Sequence, residues 1–271
     1  MPELPEVETT RRGIAPHLTG ARINGVIIRE PRLRWPIPDE LPKLLKGRKI
    51  LSVSRRGKYL LIGFHHGTLL IHLGMSGSLR ILNADTSPQK HDHFDLRLSG
   101  DQCLRLRDPR RFGAVVWTGE KPEQHPLLAS LGPEPLSESF SGAYLHGLGK
   151  SRRTAIKSLI MDSRVVVGVG NIYASEALFR AGIHPMRASY RISATRYEML
   201  ASAIQSVLSA AIEQGGTTLR DFQREDGNPG YFAQSLRVYG RSGEHCPQCG
   251  DTIRSKVIGQ RSSFYCPQCQ R

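Results

Sequence analysis

Four of the five cysteines lie near the C-terminal end of the sequence, in two identical Cys-Pro-Gln-Cys motifs separated by 16 residues. Each motif can present two thiolates to one metal ion from a tight turn, and the intervening stretch is long enough for a β-hairpin. Four sulfur ligands suit Zn²⁺ in a closed structural site, whereas an iron–sulfur cluster and two separate redox pairs are the alternatives. We therefore predict one structural Zn²⁺ per chain, with the ligands Cys246, Cys249, Cys266 and Cys269.

Basic residues surround these cysteines. Arg261 stands at the expected tip of the hairpin between the two motifs. A basic hairpin held by a metal is suited to phosphates and to a nucleic-acid groove, so Arg261 is a candidate for direct contact with DNA. The alternative is an arginine in a solvated turn.

The opposite end of the chain offers a nucleophile. The sequence starts Met-Pro-Glu, and a small second residue permits removal of the initiator methionine, which would leave Pro2 with a free secondary amine. An α-amino group titrates near pH 8, so about a tenth of it is neutral at pH 7, and nearby Lys and Arg would lower its pKa further. Such an amine can attack a sugar C1′ and form an iminium ion, with Glu3 beside it to move a proton.

The charge of the chain favours a polyanionic partner. The formal net charge is +14, and ten Lys and Arg residues against three acids fall between Arg29 and Lys58. Apolar residues interrupt these basic runs, which indicates faces of folded elements. No stretch reaches the roughly 18 apolar residues that span a bilayer, and no signal peptide is visible. We expect a cytoplasmic, monomeric protein without a membrane partner.

The hydrophobic pattern changes along the chain. A helix up to Gly20 is followed by short β-branched and aromatic runs that predict a β-sandwich or a β-barrel through Thr118. Helices are then predicted, including a short one over 127–131 and a long one over 195–214 with a capping box of Thr195 and Glu198. The expected fold is α+β, with three domains over residues 1–132, 133–235 and 236–271. The polar, glycine-rich stretch 217–231 is predicted to be either a connector or a lid over a site.

Several motifs, taken together, strongly resemble the formamidopyrimidine-DNA glycosylase family. They follow that family's order and spacing from Pro2 to the last residues. The motifs are PELPEVET at 2–9, RRGKYL at 55–60, HLGMSGSLR at 72–80, DPRRFG at 108–113, VGVGNIYASE at 167–176 and the two cysteine pairs. The resemblance implies a β-sandwich domain with a leading helix, a helical helix-two-turn-helix domain and a zinc-bound β-hairpin finger.

The resemblance also implies catalytic roles. Pro2 matches the nucleophile, and Glu3 matches the acid that assists opening of the sugar ring. Lys58 matches a lysine that contacts the backbone phosphate and the lesion, and Arg261 is grouped with these catalytic residues. The implied enzyme is a bifunctional glycosylase and AP lyase that excises oxidised purines, such as 8-oxoguanine opposite cytosine, from double-stranded DNA, and that also acts on abasic sites.

Further residues are assigned to DNA binding in the same way. Met75, Arg110 and Phe112 match residues that fill the gap left by a flipped-out nucleotide. His91, Lys157 and Asn171 match positions near the DNA backbone, and the stretch 217–231 matches a loop that folds over the extruded base. An oxidised-pyrimidine glycosylase related to endonuclease VIII and a non-catalytic binder of damaged DNA are the alternatives. Leu4 disfavours the endonuclease VIII group, which typically has glycine there.

Overall fold

The computed structural model describes residues 2–217 and 235–271 and divides the chain into two compact units. Of the described residues, the first unit contains 2–129 and 214–217, and the second contains 130–213 and 235–271. The mixed helix and sheet architecture expected from the sequence is confirmed. The two domain boundaries placed near residues 132 and 235 stay a prediction.

The described residues of the first unit form two antiparallel four-stranded sheets and two α-helices. Helix α1 spans Leu4–Leu18, and a short helix, α2, spans Leu41–Leu45. One sheet has the strand order β1-β6-β7-β5 and the other the order β2-β3-β4-β8. The strands are β1 (Ile23–Ile28), β2 (Ser52–Arg56), β3 (Tyr59–Phe64), β4 (Gly67–His72), β5 (Ser78–Asn83), β6 (Asp92–Leu98), β7 (Gln102–Arg107) and β8 (Ala114–Thr118).

One buried apolar cluster connects both sheets and α1. It contains Val7 from the first turn of α1, Ile62 from β3 and Leu104 from β7, each at most 1% exposed. Burying such side chains contributes about 1.5–3 kcal/mol each, so this cluster fixes the start of α1 against the sheets. The residues that precede and open α1, Pro2 and Glu3, thereby acquire a defined position.

The described residues of the second unit form four α-helices and one β-hairpin. The helices are α3 (Gly142–Gly149), α4 (Ile156–Met161), α5 (Asn171–Arg180) and α6 (Ala194–Glu213), and the hairpin strands are β9 (Arg254–Ile258) and β10 (Arg261–Tyr265). Arg261 opens β10 and pairs with Ile258, so the hairpin expected between the cysteine motifs is present. Within the described residues, no helix has both the length and the apolarity needed to cross a membrane.

Two local predictions were wrong. Residues 127–130 form turns and Leu131 has no regular secondary structure, because Gly132-Pro133 end the segment after too few residues for a stable helix. Helix α6 is capped by Ser193, whose Oγ accepts a hydrogen bond from the Arg196 N–H at 3.4 Å. Glu198 instead accepts a bond from the Gly142 N–H at 3.2 Å, so it joins α6 to α3 and does not close a capping box.

Candidate active site and nucleic-acid interface

A buried carboxylate holds the N-terminal end of α1. Pro2 and Glu3 are buried, and Glu3 is only 2% exposed. The Glu3 N–H donates to Glu6 Oε2 at 2.8 Å, while Glu6 Oε1 accepts bonds from the N–H and the hydroxyl of Thr217 at 2.9 and 3.0 Å. Glu6 therefore joins the segment that carries the predicted nucleophile to the first residue of the predicted lid. Residues 218–231 of that lid lie outside the described residues.

Lys58 follows a tight turn between β2 and β3. Gly57 adopts φ +55°, a left-handed conformation that glycine tolerates best. The Arg55 guanidinium donates to the Gly57 carbonyl at 2.8 Å and to Glu8 Oε2 at 3.2 Å. Because Glu8 belongs to α1, this arginine connects the turn that presents Lys58 to the helix that starts beside Pro2.

Glu8 is the centre of a cluster of three arginines. Its carboxylate also accepts bonds from Arg11 at 2.8 Å and Arg12 at 2.9 Å. Burial by itself raises the pKa of the Glu8 carboxyl, but the hydrogen bonds and charges of the arginines outweigh it and lower this pKa to about 2. The group is thus ionised throughout the physiological range.

His72 lies directly across the sheet from Tyr59 and was missed as a site residue, although the motif HLGMSGSLR begins with it. The two rings stand 4.7 Å apart between centroids. The Gly74 N–H donates to His72 Nδ1 at 3.0 Å, so the proton of the neutral ring lies on Nε2. Burial, followed by the charges of Lys58 and Arg34, lowers the pKa of His72 to about 4. His72 is therefore a neutral, oriented hydrogen-bond donor beside Lys58.

The loops that carry Met75, Arg110 and Phe112 pack backbone against backbone. Gly74 adopts φ +64°, and a Cβ there would lie 2.4 Å from the carbonyl carbon of Phe112. The Arg110 guanidinium carbon stands 4.9 Å from the centre of the Phe112 ring, and Phe112 is 43% exposed. The structure therefore brings these three predicted residues to one place, with an aromatic side chain and a cation presented to solvent.

Asp108 connects the two loops. Its carboxylate is fully buried and accepts bonds from the Ser76 hydroxyl at 3.0 Å and the Gly113 N–H at 2.8 Å. The Ser76 hydroxyl in turn accepts a bond from the Arg110 N–H at 3.2 Å. His91 adjoins this arrangement, since its carbonyl accepts a bond from the Asp108 N–H at 3.0 Å. Asp108 is the first residue of the DPRRFG motif, but the sequence alone did not identify it as the residue that organises both loops.

In the second unit, Lys157 and Asn171 both contact the strand that starts at Arg261. Lys157 is 1% exposed, and its Nζ donates to Ser263 Oγ at 2.7 Å. Asn171 opens α5, and its Nδ2 donates to the Ser262 carbonyl at 3.0 Å. The two residues predicted near the DNA backbone thus hold β10 against the helices, while Arg261 is exposed.

A second buried carboxylate fixes the chain that leads into the hairpin. Glu176 on α5 is 4% exposed and accepts bonds from the backbone N–H groups of Arg237, Val238 and Tyr239 at 2.8–3.0 Å. A carboxylate that accepts hydrogen bonds from several backbone N–H groups orders the segment that supplies them. Sequence reasoning missed Glu176, which lies within the quoted motif VGVGNIYASE.

The sulfur atoms of the four C-terminal cysteines converge on one point. All four lie within 4.8 Å of one another. Cys246 and Cys269 are 3.9 Å apart and Cys249 and Cys266 are 3.5 Å apart between Sγ atoms. Thiolates at about 2.3 Å from a tetrahedral zinc ion lie about 3.8 Å from each other, so these donors fit Zn²⁺. Their closed set provides a structural zinc site, as predicted.

Comparisons with known proteins cover nearly the whole chain. The formamidopyrimidine-DNA glycosylase N-terminal domain matches residues 1–115, and the formamidopyrimidine-DNA glycosylase H2TH domain matches residues 131–223. A zinc finger found in FPG and IleRS matches residues 243–271. These matches run in the order in which the motifs occur along the sequence.

Whole-chain relatives agree with the domain matches. The chain is 64% identical to the formamidopyrimidine-DNA glycosylase of Methylococcus capsulatus over 100% of both chains. A crystal structure of the MutM (FPG) protein from Thermus thermophilus superposes with a TM-score of 0.89 at 40% identity, covering 99% of this chain and 98% of the other. A complex between a Lactococcus lactis FPG mutant and Fapy-dG-containing DNA superposes with a TM-score of 0.93 at 32% identity, covering 100% of both chains.

Proposed function

This chain belongs to the formamidopyrimidine-DNA glycosylase family and is a DNA glycosylase and AP lyase of base excision repair, and we propose that it excises oxidised purines through the amine of Pro2. Its substrates are 8-oxoguanine opposite cytosine and formamidopyrimidines in double-stranded DNA, together with abasic sites. We further propose that it works as a monomer in the cytoplasm of a bacterium.

The observation that carries this proposal is the position of Pro2 and Glu3 at the start of α1. Both are buried, and Glu6 holds the backbone of Glu3 in place. A nucleophile and a proton donor on adjacent residues, fixed by a buried hydrogen bond, are suited to attack on one sugar carbon, because catalysis gains most from groups held in a reactive geometry.

The reaction starts with extrusion of the damaged nucleotide. Met75 and Phe112 fill the space it leaves, and Arg110 offers paired donors to the unpaired cytosine. The Pro2 nitrogen bonds to C1′ as the bond from C1′ to the oxidised base breaks, and the proton of the amine leaves with the base. Glu3 then donates a proton to O4′ as the C1′–O4′ bond breaks and the sugar ring opens, which leaves an iminium ion. Lys58 contacts the backbone phosphate at the lesion, where the neutral His72 offers a second donor.

Strand cleavage follows from the iminium ion. Its positive charge acidifies the C2′ proton, so loss of that proton expels the 3′ phosphate in β-elimination. Loss of a further proton then expels the 5′ phosphate in δ-elimination and leaves a one-nucleotide gap with phosphorylated ends. Arg261 supports the elimination steps from the exposed end of β10. When bound, zinc shapes the hairpin that presents Arg261; Cys246, Cys249, Cys266 and Cys269 would hold it.

The test is borohydride trapping on a duplex with 8-oxoguanine opposite cytosine. The mature protein forms a covalent protein–DNA adduct, and Pro2→Gly loses most of it. A preparation with an uncleaved N-terminal tag serves as the matched control, because it keeps every side chain and blocks only the amine. Equal adducts from all three proteins would move the nucleophile to another residue, with Lys58 the first candidate.

A parallel reaction separates the alternatives. Excision of 8-oxoguanine in preference to thymine glycol supports the oxidised-purine substrate, and the reverse preference would indicate an enzyme with the specificity of endonuclease VIII. Tight binding of either duplex without cleavage or adduct would leave a non-catalytic binder of damaged DNA.

A further inference from the structure

A groove in the first unit is lined by arginines that the proposed reaction does not use. Its volume is about 520 Å³, and it lies beside the loop that carries Arg110 and Phe112. Arg110 has a proposed role opposite the unpaired cytosine, whereas the other arginines have none. The lining residues are Arg32, Leu33, Arg34, Arg110, Arg111 and Phe112.

The charges of these arginines are compensated to different degrees. Arg32 forms an ion pair with Glu30 at 2.7 Å, and Arg111 contacts the same carboxylate at 3.3 Å. Arg34 is exposed, and no residue within 2–217 or 235–271 forms a hydrogen bond or an ion pair with it. The Arg34 guanidinium therefore contributes an uncompensated positive charge and a full set of donors to the groove.

The backbone on both sides of Arg34 is anchored. Leu33 and Ile37 are buried in the apolar core, and the Ile37 N–H donates to the Pro31 carbonyl at 2.9 Å. Trp35 forms a parallel bridge with Ala114, immediately after the DPRRFG motif. The base of the Arg34 side chain thus has a fixed position relative to the Arg110–Phe112 loop, which reduces the conformational entropy lost when it binds a ligand.

Arg34 also lies close to the residues beside Lys58. Burial dominates the lowered pKa of His72, but the charges of Lys58 and then Arg34 lower it further. Burial raises the pKa of Tyr59, and the positive charge of Arg34 reduces this increase. Arg34 therefore extends the positive field of the Lys58 region towards the Arg110–Phe112 loop.

We infer that Arg34 binds a backbone phosphate of the DNA substrate at the lesion, in the groove next to Arg110 and Phe112. A guanidinium with no partner among the described residues, on an anchored backbone and in an open arginine-lined groove, matches the planar donor geometry that phosphates accept. The inference rests on DNA being the substrate and does not depend on the Pro2 chemistry.

The chain supplies a matched pair of variants for the test. Arg34→Ala removes the uncompensated guanidinium, and Arg32→Ala removes an exposed arginine two residues away whose charge Glu30 already compensates. Equilibrium binding is measured with a duplex that carries a tetrahydrofuran abasic analogue opposite cytosine, over a series of salt concentrations. Since this analogue is not cleaved, the measurement is independent of glycosylase and lyase activity, and failure of the Pro2 mechanism would leave it unaffected.

Arg34→Ala is expected to raise Kd about tenfold, and to reduce the slope of log K against log salt by about 0.9, the value for one lost phosphate contact. Arg32→Ala should leave both close to wild type, and Arg34→Lys should restore the slope more than the affinity, because lysine keeps the charge without the paired donors. Unchanged thermal unfolding of the variants shows that the fold is intact. Equal Kd values and slopes for Arg34→Ala and Arg32→Ala would overturn the inference.

Neutral methylphosphonate linkages then locate the phosphate. They are placed one at a time in the lesion strand and in the opposite strand. At the contacted position, the methylphosphonate linkage weakens binding of the wild type but not of Arg34→Ala. The strand that carries this linkage is the strand whose phosphate Arg34 binds. If every linkage in both strands weakens binding of Arg34→Ala as much as it weakens binding of the wild type, a direct phosphate contact by Arg34 is excluded.

Discussion

Glu8 on α1 forms an ion pair with Arg55 on β2, with Oε2 and Nε 3.2 Å apart. Arg55 uses another nitrogen to hold the Gly57 carbonyl at 2.8 Å. The helix that starts beside Pro2 is thereby connected to the turn that precedes Lys58, although the two segments lie some fifty residues apart in the sequence. The relative position of the proposed nucleophile and the proposed phosphate-binding lysine depends on this connection.

Replacement of Arg55 should affect catalysis more than binding. Arg55→Met removes the bond to Gly57 and loosens the turn before Lys58, and we expect about a tenfold loss in the single-turnover rate of 8-oxoguanine excision, since misplacement of a reacting group is costly. Arg12→Met, which removes a different partner of Glu8 without touching the turn, is the control. Equal losses in the two variants, or a loss confined to KM, would contradict a positioning role for Arg55.

Glu8 should make stability depend on pH in the acid range. Its folded-state pKa is about 2, against an ordinary value of 4.5. Because the folded-state pKa is depressed, the stabilisation is fully present above the ordinary value and is lost as pH falls from about 4.5 to about 2.

Denaturant unfolding at several pH values tests this expectation. Glu8→Gln should lower the free energy of unfolding by about 2 kcal/mol at neutral pH, within the range for removing one partner of a charged hydrogen-bonded cluster. The difference from wild type should shrink steadily below pH 4.5. Glu213→Gln, at the exposed end of α6, is expected to behave like wild type throughout. A pH-independent difference for Glu8→Gln would show that the carboxylate's charge is not what stabilises.

Gly74 offers a test of how closely the Met75 loop packs against the Arg110–Phe112 loop. Gly74→Ala places a Cβ 2.4 Å from the backbone of Phe112, whereas Gly20→Ala, at a comparable φ of +87°, meets no atom within 4 Å. The Gly20 variant should therefore cost only the conformational strain, about 1–2 kcal/mol. The Gly74 variant should cost more than this and should also weaken binding to lesion DNA, since the Phe112 loop must move. Matching losses of stability and unchanged DNA affinity would rule out the close contact.

Loss of the metal site should weaken DNA binding without destabilising the first unit. Cys249→Ser leaves three thiolates, so zinc content should fall well below one ion per chain. The segment of residues 243–271 should then lose order, because so short a segment has little core of its own. Unfolding of the sandwich in the first unit should be almost unaffected, while DNA affinity falls. Cys103→Ser, a buried cysteine of β7, should retain the metal. Full zinc content in Cys249→Ser would exclude the four-cysteine set.

Local patterns were enough to predict some of these features. The cysteine ligands follow from spacing alone, because each motif forms its own turn. Helix α1 follows from apolar residues at helical spacing, and strands β6 to β8 follow from short hydrophobic runs. The capping box at Thr195 was wrong because two overlapping helix starts fit the same residues. Only packing decides that Ser193 caps α6 while Glu198 contacts Gly142.

The buried carboxylates could not be predicted in this way. Glu6 and Glu176 accept hydrogen bonds from backbone N–H groups of distant segments, 211 residues away in the case of Glu6 and Thr217. Asp108 accepts the Gly113 N–H of its own loop and the Ser76 hydroxyl of another. In the sequence they are indistinguishable from solvated acids, since an acidic residue becomes an organising group only when the fold brings unpaired backbone donors to it. Motif resemblance located their neighbourhoods but not their function.

Lys157 allows two roles to be distinguished by experiment. The sequence predicts a contact with the DNA backbone, while the structure places its Nζ 2.7 Å from Ser263 Oγ on β10, with 1% of the residue exposed. If the lysine mainly positions the hairpin, Lys157→Met and Ser263→Ala should each destabilise the second unit by about 1–3 kcal/mol. The double variant should then lose less stability than the sum of the two single losses, and the salt dependence of DNA binding should stay that of wild type.

If Lys157 contacts a phosphate directly, Lys157→Met should reduce the salt slope by about 0.9 whether or not Ser263 is present. Denaturant unfolding and a salt series on the same four proteins therefore assign Lys157 to one role, and a fully additive cycle together with an unchanged salt slope would contradict both.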